Sequence, residues 1–302
     1  MDGRANAASA MPTRTPASIE DLPAPELNVE EDRTGRMRAP VYINGMGPFN
    51  FIVDTAANRT VISARLAAQL QLPVAGAGEV HAMGGAFTAP MAQVHTLRAG
   101  VIESRGVEMP VIANDALGTA DGLLGVEDMA GRQLTMDFEN ERILIEQARR
   151  PVSSRDWSTV EARRRFGNLI VASARIEGVA VRVVIDTGAQ ASIANTALRD
   201  ELVRLGRART DPATIRTLTA GGPIVLEQLM FIPRLRMGGV DVSNVRAGVG
   251  DPYVFTLWDL HDEPALLLGM DVLGRARAMV IDYERSRVHF LNPEPAAPRL
   301  TR

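Results

Sequence analysis

Twice in this chain three apolar residues run straight into an Asp-Thr pair followed by a tiny residue. The first instance is Phe51-Ile52-Val53-Asp54-Thr55-Ala56 and the second is Val183-Val184-Ile185-Asp186-Thr187-Gly188. A buried apolar strand that ends on a carboxylate is costly, because an ionised Asp loses hydration there unless a partner or a function holds it. Two such endings imply two carboxylates built to meet. The chain is therefore restricted to folds that bring two distant strand ends together.

The surroundings of the two stretches also repeat. Val41-Tyr42-Ile43, a turn at Asn44-Gly45 and the strand into Asp54 read as strand, turn, strand. Leu169-Ile170-Val171, Ala174-Arg175-Ile176 and Glu177-Gly178 replay that order before Asp186. Ser63 caps a short helix to Leu70, and Asn195 caps one over Thr196 to Leu205. A Gly-tipped hairpin at Met83-Gly84-Gly85 is answered at Ala220-Gly221-Gly222. Leu123-Leu124-Gly125 is answered by Leu267-Leu268-Gly269, and Met136-Asp137-Phe138 by Ile281-Asp282-Tyr283. Landmarks recurring in one order mark an internal duplication. Short strands dominate each unit, so each half is expected to be a small β-barrel or sandwich with a short helix.

This divides the chain into a flexible arm over 1–35, a first lobe over 36–147, an Arg-rich linker over 148–166 with at most one helical turn, a second lobe over 167–295 and a tail over 296–302. The extra length of the second lobe falls partly at Asp251 to Pro264, expected as a surface insertion carrying Trp258. Asp137 and Asp282, in matching closing turns, are expected to bond their own backbone.

The composition of the 302 residues, 46% hydrophobic and 23% charged with a net charge of −3, fits an ordinary globular protein and gives no footprint for nucleic acid. The absence of cysteine excludes disulfides, thiol catalysis and thiolate metal sites. His81, His95, His261 and His289 lack metal-ligand spacing, so neither metal nor cofactor is expected. No apolar run approaches the ~18 residues that would span a bilayer. The N-terminal arm, rich in Ala and Pro and without an apolar signal core, is expected to be flexible, a composition that fits an export remnant and equally a native disordered tail.

Apolar residues leading into Asp-Thr-Gly, then a helix, a Gly-tipped hairpin and a later Leu-Leu-Gly resemble the retropepsin-like aspartic proteases. Asp186-Thr187-Gly188-Ala189-Gln190-Ala191-Ser192 is the closer match, and Gly47 to Ser63 looks like the bacterial branch of that family. The resemblance covers roughly residues 36–293. It implies an all-β protein of two duplicated acid-protease lobes with a catalytic cleft between them. Asp54 and Asp186 would both be supplied by one chain, which acts as a monomeric pseudo-dimer on a polypeptide substrate. Thr55 and Thr187 would brace the two loops, with Ala56 and Gly188 beside them. The hairpins at Met83, Gly84, Gly85 and at Ala220, Gly221, Gly222 would be substrate-binding flaps. The family implies a periplasmic or cell-envelope location, with the cytoplasm as the alternative.

Ala56 departs from the glycine usual at that place. It leaves open a second reading, a retropepsin-like module that binds peptides but hydrolyses them weakly or not at all. A third reading has each lobe pair with another chain. Arg59, close behind Asp54, is expected to point to solvent.

Overall fold

The computed structural model describes residues 27–28, 35–148, 152, 156–219 and 222–291. Its first lobe begins with β1 (Leu27–Asn28), β2 (Arg38–Ile43), β3 (Met46–Val53), β4 (Val61–Ser63) and α1 (Ala64–Gln69). There follow β5 (Val74–Ala82), β6 (Gly85–Ala99), β7 (Ile102–Ile112), α2 (Asn114–Leu117), β8 (Gly122–Leu124), β9 (Arg132–Asp137) and β10 (Arg142–Gln147). The second lobe runs through β11 (Trp157–Arg165), β12 (Leu169–Ile176), β13 (Val179–Ile185), β14 (Ile193–Ala194), α3 (Thr196–Arg204), β15 (Arg209–Thr219) and β16 (Gly222–Met237). It ends with β17 (Val240–Val249), α4 (Tyr253–Leu257), β18 (Ala265–Leu268), α5 (Met270–Leu273), β19 (Ala278–Asp282) and β20 (Arg287–Leu291).

Each lobe closes a six-stranded barrel in the same order. In the first it is β2-β3-β8-β4-β7-β6, with β6 returning to β2; in the second it is β12-β13-β18-β14-β17-β16, with β16 returning to β12. Closure follows from alternation: along β2, Ala39, Val41 and Ile43 point inward and are fully buried while their neighbours are half-exposed. Both entry hairpins turn on two consecutive residues with positive φ, Asn44-Gly45 and Glu177-Gly178. That backbone matches the right-handed twist of the flanking strands. The predicted caps hold as well. Ser63 Oγ accepts from the Leu66 N–H (3.1 Å), and Asn195 Oδ1 accepts from the Leu198 N–H (2.9 Å).

The hairpins β9-β10 and β19-β20 join the lobes through an antiparallel β9–β19 pairing, with Leu134 opposite Ile281 and Met136 opposite Met279. These four side chains are fully buried, so one core runs through both barrels. Asp137 and Asp282 take up their expected duty. Their Oδ1 atoms accept from the backbone N–H three residues on, at Asn140 (3.0 Å) and Arg285 (2.9 Å). Asp282 also accepts from Gln133 Nε2 of the first lobe (2.9 Å), tying the lobes together. Burial pushes Asp282 up, but the Arg285 N–H, the Gln133 amide and the Arg285 guanidinium outweigh it and hold the carboxyl low.

Three stretches differ from the sequence reading. Within the arm expected to be flexible over 1–35, Leu27–Asn28 forms β1 and pairs with Ile143 and Arg142 of β10. The linker expected over 148–166 carries β11, which pairs with both β20 and β12. Its Arg-rich half pairs with β12 across a turn at Phe166-Gly167, both at positive φ, and its first half pairs with the distant β20. Asp251 to Pro264, expected as a surface insertion, instead turns inward around α4. Phe255, Trp258 and Leu260 are buried, with the two rings edge to face at 6.5 Å.

Candidate active site

The site grows from the ends of β3 and β13. Each lies parallel to the Leu-Leu strand of its own lobe, Val53 opposite Leu124 and Ile185 opposite Leu268. The next backbone N–H of each strand continues the ladder, Asp54 to Leu124 O (3.0 Å) and Asp186 to Leu268 O (3.1 Å). The sheet thus fixes both acidic residues at the point where regular pairing stops.

Thr55 and Thr187 then lock the two loops to each other. The Thr55 N–H donates to Thr187 Oγ1 (3.2 Å) and the Thr187 N–H to Thr55 Oγ1 (3.1 Å). Each hydroxyl donates onward to the opposite lobe, Thr55 to Ile185 O and Thr187 to Val53 O, both at 2.7 Å. Both side chains are fully buried. Every donor in this lattice has a partner across the lobe boundary, so the loops cannot shift independently.

Above the lattice the two carboxyl groups hydrogen-bond to each other. Asp54 Oδ1 accepts from the Ala56 N–H (2.9 Å). Asp186 Oδ1 accepts from the Gly188 N–H (2.8 Å) and the Ala189 N–H (3.0 Å). Gly188 permits this approach, because a Cβ there would lie 2.3 Å from Asp54 Cγ. Burial raises both carboxyls. For Asp54 the rise is opposed by the Ala56 N–H, the Arg36 charge, the Ala57 N–H and the Asp186 hydrogen bond. Asp186 rises well above the ordinary carboxylate value, through burial first and the Asp54 charge second. Two adjoining carboxyls, one buried and one half-buried, share one proton. The larger rise at Asp186 favours that residue as its holder.

The pair lies on the floor of a cleft of about 530 Å³. The walls are mostly apolar, with Val61, Leu123, Ile193, Ile215, Leu226 and Trp258 among them. The hairpin of β5 and β6 reaches over the cleft, with a Met83-Gly84 tip and φ of +141° at Gly85. That tip docks on α4 of the other lobe. The Tyr253 N–H donates to Met83 O (3.0 Å), and the Tyr253 hydroxyl is 3.0 Å from His81 Nδ1 with the rings stacked. In the matching hairpin, Thr219 pairs with Gly222, while Ala220 and Gly221 lie outside the described residues.

Sequence reasoning missed three participants. Tyr253 and Trp258 sit in the segment taken for a surface insertion, where the apolar spacing of Val254, Phe255 and Trp258 was the available signal. Arg36 lines the cleft beside Asp54, and only the strand register reveals it. Arg59 is exposed, as expected, and is among the residues lining the cleft. Among the described residues no cluster of His, Cys, Asp or Glu is arranged to hold a metal ion, and no helix is long and apolar enough to cross a membrane.

A family model described as aspartyl protease matches residues 39–127 and again 172–272, together more than half of the chain. No curated protein matches it.

Proposed function

The chain belongs to the retropepsin-like aspartyl proteases, and from that premise we propose that it is an endopeptidase hydrolysing extended polypeptides with a water activated between Asp54 and Asp186. The observation that carries this reading is the meeting of two carboxyls from opposite lobes on the floor of a flap-covered cleft, the Asp54 carboxyl packed against Gly188 beside Asp186. Ionised Asp54 is the general base that takes a proton from the attacking water. Asp186, already protonated, gives its proton to the scissile carbonyl oxygen as the tetrahedral diol forms. In the return half, Asp54 passes its proton to the departing amine and Asp186 recovers one from the diol, so the pair ends as it began. The flap hairpins bind the substrate main chain in extended form, and the apolar walls receive its side chains.

The test is cleavage of a peptide library by Asp54→Asn and Asp186→Asn. Each substitution is expected to abolish turnover with folding intact, and full activity in both would refute the assignment. One observation favours a second reading. Ala56 puts a methyl where the other lobe keeps the glycine against which the partner carboxyl packs. A protein that binds a statine peptide, a mimic of the tetrahedral diol, yet turns over no library member would be a peptide-binding module.

We further infer that the duplication comprises 36–147 and 167–295, with β1 and β11 pairing onto it from the stretches before each half, that a tail covers 296–302, and that one chain suffices. Sedimentation of an active monomer supports the last point, and activity confined to dimers opposes it. A periplasmic or envelope location completes the proposal, and cell fractionation tests it.

A further inference from the structure

The two acidic loops superimpose in their hydrogen bonding, which identifies matching positions residue by residue. The Gly125 N–H donates to Thr60 Oγ1 and the Gly269 N–H to Ser192 Oγ, both at 3.1 Å. The Val126 N–H reaches Ala57 O and the Met270 N–H reaches Ala189 O, both at 2.9 Å. Behind them, the Thr60 N–H donates to the Glu127 carboxylate (2.7 Å) and the Ser192 hydroxyl to the Asp271 carboxylate (2.8 Å). One residue is bracketed the same way in each loop. A Cβ on Gly125 would lie 2.7 Å from the Arg59 carbonyl carbon, and one on Gly269 would lie 2.8 Å from that of Ala191. Arg59 and Ala191 are therefore the same position in the two lobes.

Both residues are exposed and both line the cleft, on opposite sides of the acidic pair. Their side chains differ completely, a cation on one side and a methyl on the other. Arg59 makes no hydrogen bond or ion pair among the described residues. The remaining charges lining the cleft are otherwise engaged. Arg36 acts on Asp54, and Glu79 lies 3.6 Å from His81 on the flap. An exposed arginine on a rigid loop lining an apolar groove, without a carboxylate of its own among the described residues, matches a carboxylate brought by the ligand.

We propose that Arg59 sets the specificity of the cleft by pairing with an acidic side chain of the substrate, so that cleaved peptides carry Glu or Asp on one side of the scissile bond and a small or apolar residue at the matching place on the other. This rests on the peptidase reading above for its assay, but not for its chemistry. The contact is made at the cleft wall and not at the reacting atoms, so its effect belongs in KM. Exposed charge pairs are weak and charge-assisted hydrogen bonds in apolar surroundings stronger, so a preference of Glu over Gln of about fivefold to tenfold is expected, shrinking as salt rises.

The experiment walks Glu, Gln and Lys through the three positions on either side of the scissile bond in fluorogenic peptides with apolar residues elsewhere. The wild type is expected to prefer Glu over Gln at one position on one side, through KM. Arg59→Ala should erase that preference, Arg59→Lys should keep part of it, and Arg59→Glu should favour Lys there instead. A wild type with no Glu preference at any position, or a preference that survives Arg59→Ala, overturns the proposal. Calorimetry with uncleavable statine peptides, one bearing Glu and one Gln at each position, separates the two readings. Arg59-dependent tighter binding of a Glu peptide without any turnover refutes the peptidase and upholds the specificity residue. Failure to bind either peptide refutes both.

Discussion

Replacing Thr187 with Val keeps the shape of the side chain and deletes one hydroxyl from the centre of the molecule. That hydroxyl donates to Val53 O at 2.7 Å and accepts the Thr55 N–H at 3.2 Å, both from the opposite lobe and both in fully buried surroundings. An isosteric methyl leaves the Thr55 N–H without its partner and takes one donor from the Val53 carbonyl. An unsatisfied buried group costs about 1–3 kcal/mol and a lost hydrogen bond about 0.5–1.5 kcal/mol, so Thr187→Val should destabilise by about 2–4 kcal/mol. Thr187→Ser keeps both bonds and loses one buried methyl, a cost of about 1 kcal/mol. Urea titration of the three proteins, followed by circular dichroism with m-values compared, reads the difference directly. Peptide cleavage should fall with the Val variant under conditions where it is still folded, because the loops carrying Asp54 and Asp186 are then free to separate. The Ser variant should retain most of its activity. Equal stability and equal activity in the Val and Ser variants would refute the idea that these hydroxyls hold the acidic pair together.

Gly188→Ala should be among the most damaging small substitutions in the chain. Its methyl would fall 2.3 Å from Asp54 Cγ and 2.4 Å from Asp54 Oδ2, a clash that must displace the Asp54 carboxyl from its place beside Asp186. A stability loss of about 1–3 kcal/mol in urea, together with loss of peptide turnover, is expected; unchanged values would mean that the carboxyls do not meet as described. Tyr283→Phe should do the opposite of most core substitutions. The Tyr283 hydroxyl is fully buried without a hydrogen-bond partner among the described residues, and burial together with the Asp54 charge pushes its pKa far up. Deleting it should leave stability unchanged or raise it by about 1 kcal/mol in the same titration, and a loss above 1 kcal/mol would reveal a bond that the phenol does make.

What the sequence made legible was chemistry carried by neighbours a few residues apart. Ser63 and Asn195 announce their helices because a cap needs only the three residues that follow. Asn44-Gly45 and Glu177-Gly178 announce their hairpins because positive φ is a local demand. The meeting of Asp54 with Asp186 was also legible, though it is long-range, because the repeat supplied each carboxylate with its counterpart. What escaped was structure conferred by distant partners. In β11 only Val160 is fully buried, and Glu161, Arg163 and Arg164 face outward, so the stretch reads as a solvated connector until the distant β20 is set beside it. Trp258 was seen but placed outside, because nothing local says that the cleft lacks a wall there.

Arg36 is the clearest product of register, and it bears on which carboxyl holds the proton. Arg38 pairs with Ile52 across β2 and β3, and the Val53 N–H bonds to Met37 O (3.0 Å), so one further step places Arg36 opposite Asp54. In the second lobe Val171 pairs with Val184, and the same step places Leu169, fully buried, opposite Asp186. The acidic pair thus has a cation beside one member and a hydrocarbon beside the other. A nearby cation stabilises the ionised form, which favours Asp54 as the base and leaves the proton on Asp186. The sign for Arg36→Leu follows. Without the cation the Asp54 anion is less stable, its pKa rises, and protonation disables the base at a higher pH than before. The acid limb of the kcat/KM profile should therefore move to higher pH. The alkaline limb reports loss of the Asp186 proton. It should begin above the ordinary carboxylate range in the wild type, since burial and the Asp54 charge raise that group. The profile is bell-shaped because the active form carries one proton between two groups, so the limbs belong to the pair and are read together. An acid limb that stays fixed in Arg36→Leu, measured with a neutral peptide, would refute Arg36 as the source of the asymmetry, since the Gly188 and Ala189 N–H groups stabilise the Asp186 anion and pull the other way.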